Sequence, residues 1–323
     1  MAYKIILTAK QGEDRTKWLS VRNKGIGGSD AGAILGLNPY KKPYELWLEK
    51  TGAKEPEDIS EKEAVKAGVY LEPVIAQWFT DETGKKVQRK GTMQSIENPF
   101  MLANIDRWVV GENAGLEIKT AGFFSGKNWD DDEVPDSYYC QCLHYMAVTG
   151  AERWYIAALI GGQRFTWKTI ERNEEDIKAL IEKEKEFWHL VETGVAPEID
   201  ASKSCADALQ FKYKDAVKDS ETELPKEAGD LFQEYDDITG QLDELKGKES
   251  LIRNKMMDLL QTNEVGIWYN PAGGKRKATW KAPKASESVK LSDIKKQDMN
   301  EYERLKAKGF ITIREATRRL RIY

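Results

Sequence analysis

The sequence predicts an α/β fold, with a central mixed sheet flanked by helices over residues 1–200. A connection over 201–225 then leads to a helical-plus-β-hairpin appendage over 226–323. Three observations predict this. Apolar residues recur at helical spacing up to about residue 83, and the segments between 87 and 121 are strand-like runs bounded by turn residues. Beyond 225 the chain is highly charged, with apolar residues at helical spacing again.

YKIILT (3–8) reads as a strand, and DRTKWLSVRNKG (14–25) as a helix with Asp14 at its N-cap and Gly25 after its end. GIGGSDAGAILG (25–36) is a glycine-rich turn feeding a short helix that begins near Asp30, with Ser29 as its cap. PYELWLEKTG (43–52) is amphipathic and stops at Gly52. A longer helix over 61–83 contains Pro73, which is expected to kink or divide it. The strands 87–96, 101–110 and 115–121 read as a meander. A helix over 137–150 follows, and then RWYIAALI (153–160) and QRFTWKTI (163–170) form a hairpin through Gly161-Gly162. A helix over 173–194 closes the region. In the appendage, Gly240 and Gly247 weaken a helix over 226–262, and VGIWYNPAGGKRKATWK (265–281) reads as a hairpin.

The 323 residues suffice for one large or two modest domains. No stretch approaches the roughly 20 apolar residues of a membrane span, and the N-terminus reads as a strand, so the expected compartment is the cytoplasm. Cys140, Cys142 and Cys205 do not make a disulfide framework, and with His144 and His189 they form no paired zinc ligand set. The net charge of −4 argues against a general polyanion binder but leaves room for a basic groove.

NIDRWVVGENAGLEIKT (104–120) carries the chemistry. Alternate side chains of a strand share a face, so Glu117 and Lys119 point together and Ile118 points to the core. A turn at 111–113 brings Asp106, on the preceding strand, close to Glu117. Converging carboxylates suit Mg²⁺, which takes oxygen ligands, and an adjacent ammonium can orient or deprotonate a water and stabilise charge on a phosphate. Metal-assisted phosphodiester hydrolysis follows. Acid-x-Lys occurs four times, starting at Glu117, Asp176, Glu244 and Asp293, but only Glu117 lies in a strand that follows a strand bearing an Asp. On spacing alone, a solvated strand face is equally well supported.

The surroundings decide between them. Residues 15–52, GVYLEPVIAQWF (68–79), NIDRW (104–108), LEIKT (116–120) and YYCQCLHYMAVTG (138–150) resemble, in family order, the YqaJ-type viral recombinases. These are relatives of lambda exonuclease within the PD-(D/E)xK, restriction-endonuclease-like superfamily. The resemblance implies that Asp106, Glu117 and the Ile118 carbonyl ligate one or two Mg²⁺ ions, with Mn²⁺ as a substitute. Lys119 is implied as the catalytic lysine, and Glu72 as a further catalytic acid on a helix, bordering the metals and counted with their ligands. Gln141 is implied near the site, and Arg22 with Ser29 as a 5′-phosphate pocket. The residue before Asp106 is Ile105, where the superfamily name has Pro. Phe123 and Phe124 follow the catalytic strand, placed either to stack on a terminal base pair or to pack within their loop. Lys275, Arg276 and Lys277, with Arg318, Arg319 and Arg321, either track phosphates or form a solvated surface.

The reading is a Mg²⁺-dependent exonuclease on linear duplex DNA, working 5′→3′ and leaving 3′ single strands for recombination. Family resemblance adds a single-strand-annealing partner and a homo-oligomer in the form of a ring trimer. The alternatives are an endonuclease or repair nuclease on the same core, and a non-catalytic DNA-binding or scaffold protein.

Overall fold

In the computed structural model the chain forms two compact units, residues 1–214 and 215–323. The structure describes all residues except 1, 13, 124–128, 130–132, 285–287, 314–319, 321 and 323.

The first unit opens with β1 (Tyr3–Leu7), the single turn α1 (Ala9–Gly12) and α2 (Arg15–Arg22). Asp14 caps α2 by accepting the Thr16 and Lys17 amides at 3.1 and 3.2 Å, two of the donors a helix start leaves without partners. β2 (Ile26–Gly27) runs directly into α3 (Gly28–Ile34). α3 starts earlier than expected. Its N-cap is Gly27, and Ser29 lies inside the first turn, so the capping carboxylate is that of Asp30, which accepts the Gly27 amide at 3.0 Å. α4 (Pro43–Lys50) begins with Pro43, whose missing N–H costs nothing there. α5 (Glu63–Thr83) runs undivided through Pro73. One backbone bond is lost, but Ile75, Ala76 and Phe79 beyond it are buried against the sheet and hold the helix in place.

The expected meander is instead two sheets. The first two predicted strands break in the middle: β3 (Val87–Gln88) from β4 (Thr92–Ser95), and β5 (Met101–Ala103) from β6 (Arg107–Val109). β4 and β5 join a four-stranded sheet in the order β1-β4-β5-β2. β3 and β6 join β7 (Ala114–Ala121), β8 (Arg153–Ile160) and β9 (Arg164–Glu171) in the order β3-β6-β7-β8-β9. The first break centres on Gly91, where a Cβ would lie 2.0 Å from the Leu7 carbonyl oxygen. The second is fixed by Asn104, whose side-chain oxygen accepts the Thr92 hydroxyl at 2.6 Å. The five-stranded sheet is mixed: β7 and β8 are parallel, joined through α6 (Asp136–Thr149), and the other pairs are antiparallel.

Strand alternation sorts the side chains into two layers. Leu116 and Ile118 of β7, with Tyr155, Ala157 and Leu159 of β8, pack on α5. Trp154, Ile156, Ala158 and Ile160 of β8 pack with Cys142, Leu143 and Met146 of α6 and with Ile177 and Leu180 of α7 (Glu174–Thr193). Gly115 leaves room for the Trp154 ring, since a Cβ there would meet it at 2.2 Å. Trp47 is buried, whereas Trp18, Trp78 and Trp108 are half-buried.

Residues 203–212, expected in a loose connection, form α8 (Lys203–Lys212). Cys205 and Ala208 bury against Tyr44, Trp47 and Phe187, and Ser204 donates to Glu45. The small apolar residues are spaced for one helix face, a weak signal in a polar segment.

The second unit contains α9 (Ala228–Leu260), the hairpin β10 (Val265–Tyr269) and β11 (Lys275–Thr279), and the short helices α10 (Leu291–Gln297) and α11 (Met299–Ala307). α9 is unbroken at Gly240 and Gly247. Lys275, Arg276 and Lys277 lie within β11, while Arg318, Arg319 and Arg321 fall outside the described residues.

Candidate active site

The break between β5 and β6 places the first carboxylate. β6–β7 pairing ends at Arg107–Leu116, and Asp106 sits one step beyond it. Freed from the ladder, its carboxylate accepts the Ile118 amide at 2.7 Å. In an extended strand a residue's N–H and C=O point to the same side, so the Ile118 carbonyl faces the Asp106 side as well.

Glu117 and Lys119 point from β7 toward α6, with the Lys119 Nζ 2.7 Å from the Glu117 Oε1. Tyr138, Gln141 and Tyr145 share the face of α6 that meets them. The Gln141 amide bridges the pair: its oxygen accepts from Lys119 at 2.9 Å, and its nitrogen donates to Glu117 at 2.7 Å. Its nitrogen also donates to the Tyr145 hydroxyl at 3.0 Å, and that hydroxyl donates to the Asn104 carbonyl at 2.9 Å. The Lys119 ammonium lies 4.6 Å from the centre of the Tyr138 ring, a cation–π contact.

Burial and the neighbouring Glu117 charge raise the Asp106 carboxyl well above the usual range. Burial works against the Lys119 ammonium, but Glu117 and Asp106 outweigh it and raise its pKa. These two carboxylates hold Lys119 as an ammonium, which suits it to orienting a water and balancing charge. The Glu117 Oε2 is buried without a hydrogen-bond partner. An orphaned anionic oxygen beside a second, charge-strained carboxylate fits a divalent cation, which would satisfy both. Asp106, Glu117 and the Ile118 carbonyl are the groups that could hold it.

Glu72 lies differently. Its carboxylate is taken by the Arg107 guanidinium, which also donates to the Asp106 carbonyl at 2.7 Å. Among the described residues no three His, Cys, Asp or Glu side chains converge as a metal cluster. Glu72 nevertheless borders the site. A cleft of about 300 Å³ is lined by Gly68, Glu72, Asp106, Ile118, Lys119 and Thr120. A second, of about 250 Å³, is lined by Trp18, Arg89, Lys90, Asn104, Asp106 and Arg107, with Glu72 again at its edge.

Arg22 donates to the Ser29 hydroxyl at 2.9 Å. Beneath them Asp30 is buried, 2.7 Å from Lys50 and 3.7 Å from Arg22. Burial alone would raise the Asp30 carboxyl, but these two cations drive it far below the usual range. α3 crosses α6 closely because Gly28 lies on the Tyr145 ring, where a Cβ would approach to 2.5 Å. Trp154 packs on the same ring, with centroids 5.2 Å apart, so the ring has little room to yield. Gly28→Ala is expected to cost about 1–3 kcal/mol, read as a lower urea midpoint at unchanged slope.

Phe123 is exposed and lies against Gly161 in the β8–β9 turn; Phe124 is outside the described residues. Sequence reasoning missed Arg107, Tyr138, Tyr145 and Asn104. The spacing of Tyr138, Gln141 and Tyr145 was the available signal for α6. Arg107 carried none, because an arginine in a strand names no partner.

Residues 17–152 match the YqaJ-like viral recombinase domain. The chain is 39% identical to the uncharacterized protein YqaJ of Bacillus subtilis (strain 168) over 303 residues, 92% of this chain and 93% of that one. Among solved structures, an alkaline exonuclease from Laribacter hongkongensis aligns with a TM-score of 0.48 at 17% identity, over 56% of this chain and 94% of its own. A phage-related exonuclease from Haemophilus somnus 129PT aligns with a TM-score of 0.40 at 12% identity, over 55% of this chain and all of its own. The extent and identity of the match to YqaJ settle the relationship: the chain belongs to the YqaJ-like viral recombinase family.

Proposed function

We propose that the chain is a Mg²⁺-dependent deoxyribonuclease that hydrolyses linear duplex DNA from its ends, 5′→3′, leaving 3′ single strands for recombination by strand annealing. The observation that carries this reading is the convergence of Asp106, Glu117 and Lys119, with the Glu117 Oε2 buried and unpaired. A bound Mg²⁺ supplies Lewis-acid stabilisation of charge on the scissile phosphodiester. Asp106, Glu117 and the Ile118 carbonyl hold the ion, and Glu72 borders it through Arg107. Lys119 orients or deprotonates the attacking water and offsets developing negative charge. Gln141 fixes both Glu117 and Lys119, so neither side chain has to be ordered during the reaction.

Arg22 and Ser29 are proposed to receive a 5′-phosphate, and their mutual hydrogen bond supports a paired role. The cleft lined by Arg89, Lys90 and Trp18 leads to Asp106 and offers cations to the DNA backbone. Phe123 is proposed to contact the terminal base pair. A strand-annealing protein and assembly as a ring trimer complete the proposal.

Duplexes labelled at either end, with and without a 5′-phosphate, test it beside a covalently closed circle. Release of the 5′ label first, faster from phosphorylated ends and absent from the circle, is expected. Cutting of the circle would favour an endonuclease, and preference for the 3′ label would reverse the polarity.

A further inference from the structure

α9 spans 33 residues, yet Leu260 is its one buried side chain among the described residues. A helix of this length, roughly 50 Å at about 1.5 Å per residue, gains little from tertiary packing if so little of it is covered. Its apolar residues follow a pattern. Leu231, Tyr235, Ile238, Leu242, Leu245, Ile252, Met256 and Leu259 recur in alternating steps of four and three, interrupted only by Glu249 at the position due between Leu245 and Ile252. This is a heptad seam, with Leu231, Ile238, Leu245, Ile252 and Leu259 at d and Tyr235, Leu242, Glu249 and Met256 at a. The seam is open: Leu245 is 60% exposed and Ile252 62%. Gly240 and Gly247 fall on the opposite, outermost positions, where they leave the seam intact.

Charge identifies the occupant. Between 228 and 244 the helix carries Asp230, Glu234, Asp236, Asp237, Asp243 and Glu244 and no basic residue. Between 245 and 260 it carries Lys246, Lys248, Arg253 and Lys255 against Glu249 and Asp258. An antiparallel copy therefore sets each basic half against an acidic half, with acids level only at Asp243 with Glu244 and at Asp230 with Asp258, whereas a parallel copy meets like charge throughout its N-terminal half. Register gives the same answer. In parallel, Glu249 would face its own counterpart inside the seam, and Lys248 would flank Arg253. In antiparallel, Leu242 faces Leu245, Tyr235 faces Ile252, Leu231 faces Met256, and Glu249 faces Ile238 while its carboxylate keeps the Arg253 guanidinium at 2.8 Å. The flanking Glu234 then meets Lys255. Lys246, Lys248 and Arg253 are paired within their own helix, but Glu234 and Lys255 make no ion pair among the described residues.

The hairpin completes the seat. Gly266 lies against Leu260, and an apolar groove of about 610 Å³ runs between Ile252, Met256 and Leu259 of α9 and Ile267 and Trp268 of β10. In the antiparallel register this groove receives the Leu231–Tyr235 end of the partner helix, with Phe232 beside it.

We infer that α9 pairs with α9 of a second copy of this chain as an antiparallel coiled coil, the two β10–β11 hairpins closing over its ends. The inference is independent of the nuclease reading; a two-fold pair cannot engage all three chains of one ring, so beside the proposed trimer it joins α9 helices of two rings, and its test reads association alone.

The test uses the full chain, whose Cys140, Cys142 and Cys205 are buried and stay out of the reaction. Ile238→Cys with Glu249→Cys is expected to yield a disulfide-linked dimer under mild oxidation, and neither single variant is. The two positions are roughly 16 Å apart on one helix at about 1.5 Å per residue, so the bond can form only between chains. In that background Lys255→Glu is expected to raise the concentration for half-maximal cross-linking on the order of tenfold, and adding Glu234→Lys to restore it. Cross-linking by Ile238→Cys alone would mean a parallel seam and overturn the proposal. So would failure of the double variant to cross-link, which would leave the seam to a helix of another protein, or failure of the charge exchange to restore it.

Discussion

Lys119→Ala is expected to lower turnover of linear duplex DNA by about two to four orders of magnitude while leaving DNA binding near the wild-type level. The ammonium is held from three sides, by Glu117 at 2.7 Å, by the Gln141 oxygen at 2.9 Å and by the Tyr138 ring. It has one geometry, and no neighbour among these can replace a cation. Lys119→Arg is expected to fall nearly as far, because a planar fork cannot occupy the space of a compact point charge between Glu117 and Tyr138. Steady-state kinetics beside a binding titration separate the losses. A fall in binding with unchanged turnover would make Lys119 a DNA contact only.

Glu184→Ala is expected to cost about 3–5 kcal/mol of stability, the penalty for leaving a buried charge without its partner. His144 and Glu184 are completely buried, with the His144 Nδ1 2.8 Å from the carboxylate and its Nε2 2.9 Å from the Leu102 carbonyl. Both ring nitrogens face acceptors, and both can donate only in the imidazolium form. Burial opposes that charge, but Glu184 outweighs it, so the His144 pKa is raised above 6.5. A raised histidine pKa contributes stability that is fully present below the unfolded value and lost as pH rises through the folded one. The stability difference between wild type and Glu184→Ala should therefore be largest below pH 6.5 and shrink above it. Denaturant melts at a series of pH values check this, and a difference that grows with pH would contradict the charged pair. The pair ties α6 to β5 two residues before Asn104, whose carbonyl accepts the Tyr145 hydroxyl, so it also supports the polar chain that ends on Gln141 and Glu117.

Much of the site is written in local pattern. Period-two alternation puts Glu117 and Lys119 on one face, and the turn at 111–113 returns the chain so that Asp106 comes opposite. What local pattern cannot carry is anything that depends on a distant surface. The break that frees Asp106 from its ladder depends on Thr92 meeting Asn104, a contact within the four-stranded sheet that no strand periodicity encodes. The start of α3 was misplaced because Ser29 is a common cap, whereas buried Asp30, held by Lys50 from α4, performs that task. Glu72 is expected from the resemblance to border the metals, and its pairing with Arg107 is a contact between α5 and the sheet that the sequence does not show. α8 reads as linker until the surface it covers is known. The heptads of α9 were legible as helix, but their continuity through two glycines was not, because the cost of glycine is counted locally and the seam is not.

The central claim is that Asp106, Glu117 and Lys119 form a metal-dependent phosphodiesterase site. Nucleotide release from a linear duplex, followed across a Mg²⁺ titration for the wild type and for folded Glu117→Gln, tests it most directly. The account predicts saturable, Mg²⁺-dependent release by the wild type and at least about a hundredfold loss in the variant. Release that is indifferent to Mg²⁺, or equal in the two proteins, would contradict it.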